Sequence, residues 1–234
     1  MSSLIDCFSD LSASIGIISE TWLTDGESLE KEVSDLVLGT GLQMLHQNRP
    51  PNQRGFSHGG VAVVYRETAM TLKKKRLHNP RNLEVMVATG SIKGCVRKVV
   101  VVGCYIPPNY SVPQGRSTMD FICGVISDIK REMDDPYIIV AGDFNQWKIH
   151  EVLADFPDLQ EHAVGNTRGD HCIDRIFSNL EVQVAGTVPP LETDRCPESS
   201  PKKSDHRISF VQSSVNKVQS YNCLLYTSPS PRDS

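Results

Sequence analysis

Asp143 and Asn145 are the side chains best placed for chemistry. They lie in YIIVAGDFNQW (Tyr137 to Trp147), a carboxylate and a carboxamide two residues apart, beyond the apolar run Ile138 to Ala141. The run predicts a buried strand, and Gly142 would let the backbone leave it without steric cost. If the extended geometry holds as far as Asn145, the two side chains project to the same side. Together they suit a hard cation or an activated water. Asp and Asn are equally at home in an ordinary strand-to-loop turn, so this stretch alone is open to both uses.

Four further apolar runs adjoin polar residues of catalytic type. Ile15 to Ile18 enters Ser19 and Glu20, and Val99 to Val102 leads to Tyr105 just before Pro107 and Pro108. Asp174 sits inside the apolar frame HCIDRIFSN, while Asp205 and His206 precede Ile208 to Val211. Each has a plain structural use: Glu20 as a cap or surface acid, Tyr105 as a rim aromatic, Asp174 as a strand-edge acid, His206 as a satisfied histidine. Five such strand ends in one chain point instead to convergence at one sheet rim.

The elements that would position them alternate between strand and helix. Leu4, Ile5, Phe8 and Leu11 have helical spacing, followed by a strand at 15–18 and a short helix at 29–38. Strands are expected at 61–65, 72–75, 83–89, 97–105, 137–141, 171–179, 182–188 and 208–211, with a helix at 117–133 and a shorter one near 151–156. Segments 46–58, 148–171 and 189–203 look loop-rich. The domain is taken as residues 1–213. Residues 214–234 are expected to be a disordered tail, within which CLLYTSPSPRDS (223–234) looks like translated adaptor or assembly read-through.

Composition narrows the function classes. With 234 residues, 39% hydrophobic and 22% charged, the chain suits one large globular domain. A net charge of -4 gives no global attraction to a polyanion, so any such contact must be local. The run Lys73 to Arg76 could meet phosphate, although a solvated strand end is the commoner use. Seven scattered cysteines without a CxxC pair suggest neither a disulfide framework nor a zinc site. The absence of a long apolar run or a signal peptide leads us to expect an intracellular protein that does not engage a membrane.

The combination of motifs resembles the endonuclease/exonuclease/phosphatase superfamily, in which an early metal-binding Glu is followed by GD-x-N and a terminal SDH. Within it, IISETWL (17–23), GGVAVVYRE (59–67), YIPPN (105–109), AGDFNQW (141–147), TRGDHCIDRIFSN (167–179) and SDHRISF (204–210) look most like the apurinic-endonuclease-like domain of non-LTR (LINE-type) retrotransposons. The resemblance implies a four-layer α/β sandwich, two mixed β-sheets packed face to face with helices outside, and a Mg-dependent DNA endonuclease whose nick primes reverse transcription. Mn is the alternative cofactor. Glu20 would hold the metal, Asp143 would orient or deprotonate water with Asn145 fixing its geometry, and His206, paired with Asp174, would contact the scissile phosphate. Tyr105 would donate to a phosphate oxygen, and Asp205 would help position metal or water.

The same resemblance implies DNA as partner, a reverse transcriptase domain encoded downstream, and a nuclear location. Arg49, Arg54, Arg116, Lys202 and Lys203 are candidate phosphate contacts in the loops that would set specificity. The family's central first strand, ending in an Asn, would precede residue 1, so an N-terminally truncated domain of reduced activity is expected. Two alternatives remain: a phosphatase of the same superfamily acting on a small phosphorylated lipid or inositol, and an inactive nucleic-acid-binding remnant.

Overall fold

Burial alternates along the strands and dictates the layers. Within Lys98–Tyr105, Val99, Val101 and Tyr105 belong to one apolar cluster, while Val100, Val102 and Cys104 belong to another. A strand buried on both faces must lie in an inner sheet. The computed structural model, which describes residues 2–21, 39–48, 59–78, 83–162, 164–189, 206–216 and 219–227, shows how this is met.

The elements are α1 (Ser2–Asp10), β1 (Ala13–Ser19), β2 (Leu42–Gln47), β3 (Val61–Arg66), β4 (Met70–Lys74), β5 (Val85–Ile92), β6 (Lys98–Tyr105), α2 (Val112–Glu132), β7 (Tyr137–Asp143), α3 (Ile149–Leu153), β8 (Gln160–His162), β9 (Asp174–Ser178), β10 (Val182–Val188), β11 (Ile208–Asn216) and β12 (Gln219–Thr227). Sheet A has the order β10-β11-β12-β1-β3-β2, and sheet B the order β4-β5-β6-β7-β9-β8. β1 runs parallel to β12 and β6 parallel to β7, so both sheets are mixed.

Ile15, Ile17, Val61 and Val63 of sheet A meet Met86, Val101, Ile139 and Ile176 of sheet B in the central core. The far face of sheet B packs on α2 and α3 through Ile122, Ile126, Ile129 and Ile149, and Cys7 and Phe8 of α1 lie with Ala62 and Val64 of sheet A. This is the four-layer α/β sandwich. α2 buries Met119, Ile122, Val125, Ile126 and Ile129, an apolar stripe at helical spacing. It begins at Val112 rather than 117 because Pro113 is tolerated in a first turn and Gln114 accepts the Ser111 N–H at 3.0 Å.

Three strands were absent from the sequence expectation. β2 is an edge strand in which only Leu42 is fully buried, so its alternation is weak, and β8 is a three-residue edge. The third corrects the expected disordered tail: residues 219–227 form β12, paired from Ala13↔Asn222 to Ser19↔Thr227 with β1 and from Ser209↔Leu225 to Asn216↔Gln219 with β11. Both flanking strands offer backbone groups that would otherwise be unpaired, a pull that periodicity does not report. A central strand was expected ahead of residue 1; here the two neighbours of β1 are β12 and β3. The expected helix at 29–38, and most of the loops at 46–58 and 189–203, lie outside the described residues. Among the described residues no helix is long and apolar enough to cross a membrane.

Candidate active site

Register places the site. Tyr105 pairs with Asp143 across β6 and β7, and Asp143 pairs with Asp174 across β7 and β9, so three strand ends form one transverse row. Ser19, at the end of β1, joins the second sheet to this row: its hydroxyl donates to the Cys104 carbonyl at 3.2 Å and accepts the Asp143 N–H at 3.3 Å. Glu20 follows at a positive φ of 54°, turning the chain so that its carboxylate accepts the Tyr105 hydroxyl.

Beyond Asp143 the strand stops. Asn145 has φ 47°, so the pair does not share a side by strand alternation as expected. Instead the Asn145 N–H donates to Asp143 Oδ1 at 2.8 Å and its side-chain amide donates to the Ile106 carbonyl at 3.0 Å. This is an Asx-type turn, which locks the carboxylate at the strand tip. Across the row, His206 Nδ1 lies 2.8 Å from Asp174 Oδ2, both residues almost fully buried. Thr167 holds this half: its hydroxyl accepts the N–H groups of Ile173 and Asp174, each at 3.1 Å, and its carbonyl accepts Arg207 N–H at 2.7 Å.

The electrostatics are those of crowded acids. Burial first, then the charge of Asp174, pushes the Asp143 carboxyl up to about 8, with His206 and the Asn145 N–H pulling the other way and Glu20 adding repulsion. Burial and the Glu20 charge raise the Tyr105 hydroxyl far above its usual range, which keeps it a hydrogen-bond donor. Ligating atoms of Asp143, Asp174 and His206 lie within 4.8 Å of one another. Three carboxylates in mutual electrostatic reach, set against one imidazole, fit a hard divalent cation. With Nδ1 already against Asp174, His206 belongs to a histidine–carboxylate dyad, leaving Asp143 and Glu20 as the oxygen donors best suited to such an ion.

The structure therefore brings Glu20, Tyr105, Asp143, Asn145, Asp174 and His206 together. Arg116 is exposed on α2, whereas Asp205, Arg49, Arg54, Lys202 and Lys203 lie outside the described residues. Sequence reasoning missed Ser19, Thr167 and Glu84. Glu84 is buried, its side chain accepts the Gly60 N–H at 2.6 Å, and its carbonyl accepts the Tyr105 N–H at 2.9 Å. Its position just ahead of an apolar run was the available signal. A cavity of about 710 Å³ lies at the opposite end of β9, beside His162 and Ser178, and shares no residue with the site.

The model of the endonuclease/exonuclease/phosphatase family matches residues 1–206. The chain belongs to that family. Solved structures of the family's fold superpose well at low identity. A family protein from Bacteroides thetaiotaomicron has a TM-score of 0.64 at 13% identity, with 87% of this chain and 84% of that one covered. A mannosyl-6-phosphatase from the same organism gives 0.62 at 13%, covering 87% and 86%. A humanized D. rerio TDP2 gives 0.61 at 13%, covering 88% and 87%. At such identities the likeness concerns fold alone. No match is found among curated proteins.

Proposed function

We propose that this hydrolase of the endonuclease/exonuclease/phosphatase family is a Mg²⁺-dependent DNA endonuclease of the non-LTR retroelement type. The observation that carries the reading is the transverse row Tyr105–Asp143–Asp174, closed by His206 and Glu20. The retroelement assignment draws on the motifs IISETWL and TRGDHCIDRIFSN, with DNA as partner, a nuclear setting and a reverse transcriptase encoded downstream.

Hydrolysis of a phosphodiester needs an oriented water and compensation of charge on the phosphoryl oxygens. Asp143 accepts the proton of the attacking water. In the metal-free protein, burial and the neighbouring Asp174 favour the proton-bound form of this carboxyl. Asn145 holds that carboxylate through its backbone N–H. His206, oriented by Asp174, faces the scissile phosphate, and the Tyr105 hydroxyl, which donates to Glu20 in the metal-free site, turns to one of its oxygens once Glu20 is engaged by the cation. Glu20 and Asp143 would hold Mg²⁺ or Mn²⁺, with Asp205, outside the described residues, as a further candidate ligand, and the ion would supply compensation for charge on the phosphoryl oxygens. Water oxygen bonds to phosphorus as the bond to the 3'-oxygen breaks, and the departing 3'-oxygen takes a proton from solvent, leaving a 3'-hydroxyl and a 5'-phosphate.

Nicking of supercoiled plasmid in Mg²⁺ tests the reading. Open-circular product, lost in EDTA and in Asp143→Ala, is the expected result. Phosphate release from small phosphorylated lipids or inositols without nicking would transfer the chain to the phosphatase alternative. Binding of DNA with no cleavage of either substrate would mark it as a remnant.

A further inference from the structure

One basic run plays no part in the site described. Lys73, Lys74 and Arg76 are exposed and Lys75 is half-buried, on and just beyond β4, the edge strand of sheet B. Met70 and Leu72 enter the core between the sheets, so by two-residue alternation Lys74 and Arg76 lie on the side facing sheet A. Lys74 Nζ donates to the His46 carbonyl of β2, the edge of sheet A, at 2.7 Å. Lys75 pairs instead with Glu132 of α2.

The run also heads toward the active site. The Lys75 N–H donates to the Val87 carbonyl at 2.7 Å, and the antiparallel course then carries Arg76 past Met86 toward Val85 and Glu84. The Glu84 carbonyl accepts the Tyr105 N–H. A groove of about 620 Å³ opens between the sheet edges here, lined by Gln47, Lys74, Lys75, Arg76, Val85 and Met86 among others, with no carboxylate among the described residues of its lining.

We infer that this groove is a track for the phosphate backbone of duplex DNA flanking the cleaved bond, with Lys74 and Arg76 as its contacts. The inference rests on the proposed nuclease reading and deepens it. At about 4.8 Å per strand, β4 lies roughly 10 Å from the Tyr105 strand and roughly 14 Å from the Asp143 strand. Arg76 and Lys74 sit level with Gly103 and Val101, two and four residues short of Tyr105, and phosphates along one DNA strand rise about 3.4 Å each, so the track meets phosphates roughly three to six nucleotides from the scissile one. A small phosphate ester at the site does not extend that far. In a chain of net charge -4, a local basic groove is where a polyanion would be drawn.

The test uses the full chain with Lys74→Gln/Arg76→Gln, and Lys93→Gln/Lys98→Gln as a charge-matched control at the far end of sheet B. Fluorescence anisotropy of a labelled duplex of about 30 base pairs is measured in EDTA over a salt series. Hydrolysis of bis(4-nitrophenyl) phosphate in Mg²⁺ and circular dichroism melting are measured alongside. In the groove variant the slope of log affinity against log salt is expected to fall by about two, with duplex affinity down tenfold or more at low salt. Small-ester hydrolysis and melting should match the control. Equal salt slopes in the two variants would overturn the track even if the wild type nicks plasmid. A reduced slope in the groove variant, with no nicking by the wild type, would support the track while overturning the nuclease reading.

Discussion

Asp143 should make the metal-free protein lose stability as pH rises through neutrality. Burial, reinforced by the charge of Asp174, lifts its carboxyl from 3.8 to about 8 in the folded state, while the unfolded chain keeps it near the lower value. Between these two values the folded protein holds a proton that the unfolded chain has released. Raising the pH therefore favours unfolding, the reverse of the usual salt-bridged aspartate. At 1.36 kcal/mol per pH unit the whole rise corresponds to about 6 kcal/mol, a large part of the ~5–15 kcal/mol that holds a domain together. Asp143 interacts strongly with Asp174, His206 and Glu20, so the proton is not its alone and about half of that figure is the expected swing. Urea unfolding in EDTA from about pH 5 to about pH 8 should show a wild-type loss of about 3 kcal/mol. Asp143→Asn, which cannot ionise, should change by less than about 1 kcal/mol over the same span. Adding Mg²⁺ at the upper pH should restore the wild type, because an ion bound only by the folded state stabilises it. A wild-type profile that stays flat or rises with pH in EDTA would refute the reasoning, as would an Asp143→Asn profile that runs parallel to it.

Asp174→Ala removes the carboxylate that orients His206 and should lower plasmid nicking by about 10²-fold or more; a loss of less than about twofold would exclude the dyad from the reaction. A Cβ on Gly142 would lie 1.9 Å from the Cys104 carbonyl oxygen, in backbone that cannot yield. Gly142→Ala should cost about 2–4 kcal/mol by urea unfolding, whereas Gly124→Ala on an exposed turn of α2, where nothing lies within 4 Å, should be neutral or stabilising by about 0.5–1 kcal/mol. Truncation after residue 216 removes β12 from between β1 and β11 and should abolish the cooperative unfolding transition; a retained transition with unchanged midpoint would show that sheet A does not need this strand.

What was legible in the sequence was whatever burial writes as periodicity. β6, β7 and α2 carry long apolar patterns because both strand faces, or one full helix stripe, are covered. β2 and β8 are covered weakly or are too short to repeat, and β12 is held by pairing that no side-chain pattern encodes. The acids and the histidine were recognisable by type, since few other uses place so many of them at strand ends. The small polar residues that join them were not: a Ser19 hydroxyl linking two sheets, or a Thr167 hydroxyl receiving two N–H groups, looks like any other Ser or Thr until the tertiary fold brings its partner near.

The two uses first open for GDFN turn out not to exclude each other. Asn145 forms the turn, through its N–H to Asp143 Oδ1 and its side chain to the Ile106 carbonyl, and that turn holds the carboxylate at the tip of a buried strand. A freely extended chain would have let Asp143 rotate toward water, where its pKa would return to the ordinary range. Held among Asp174, Glu20 and His206, it is instead lifted toward neutrality, where a carboxyl can exchange a proton with water. The reactivity of the site thus depends on a local structural motif of the commonest kind, and its catalytic potential comes from what the two sheets bring around that motif.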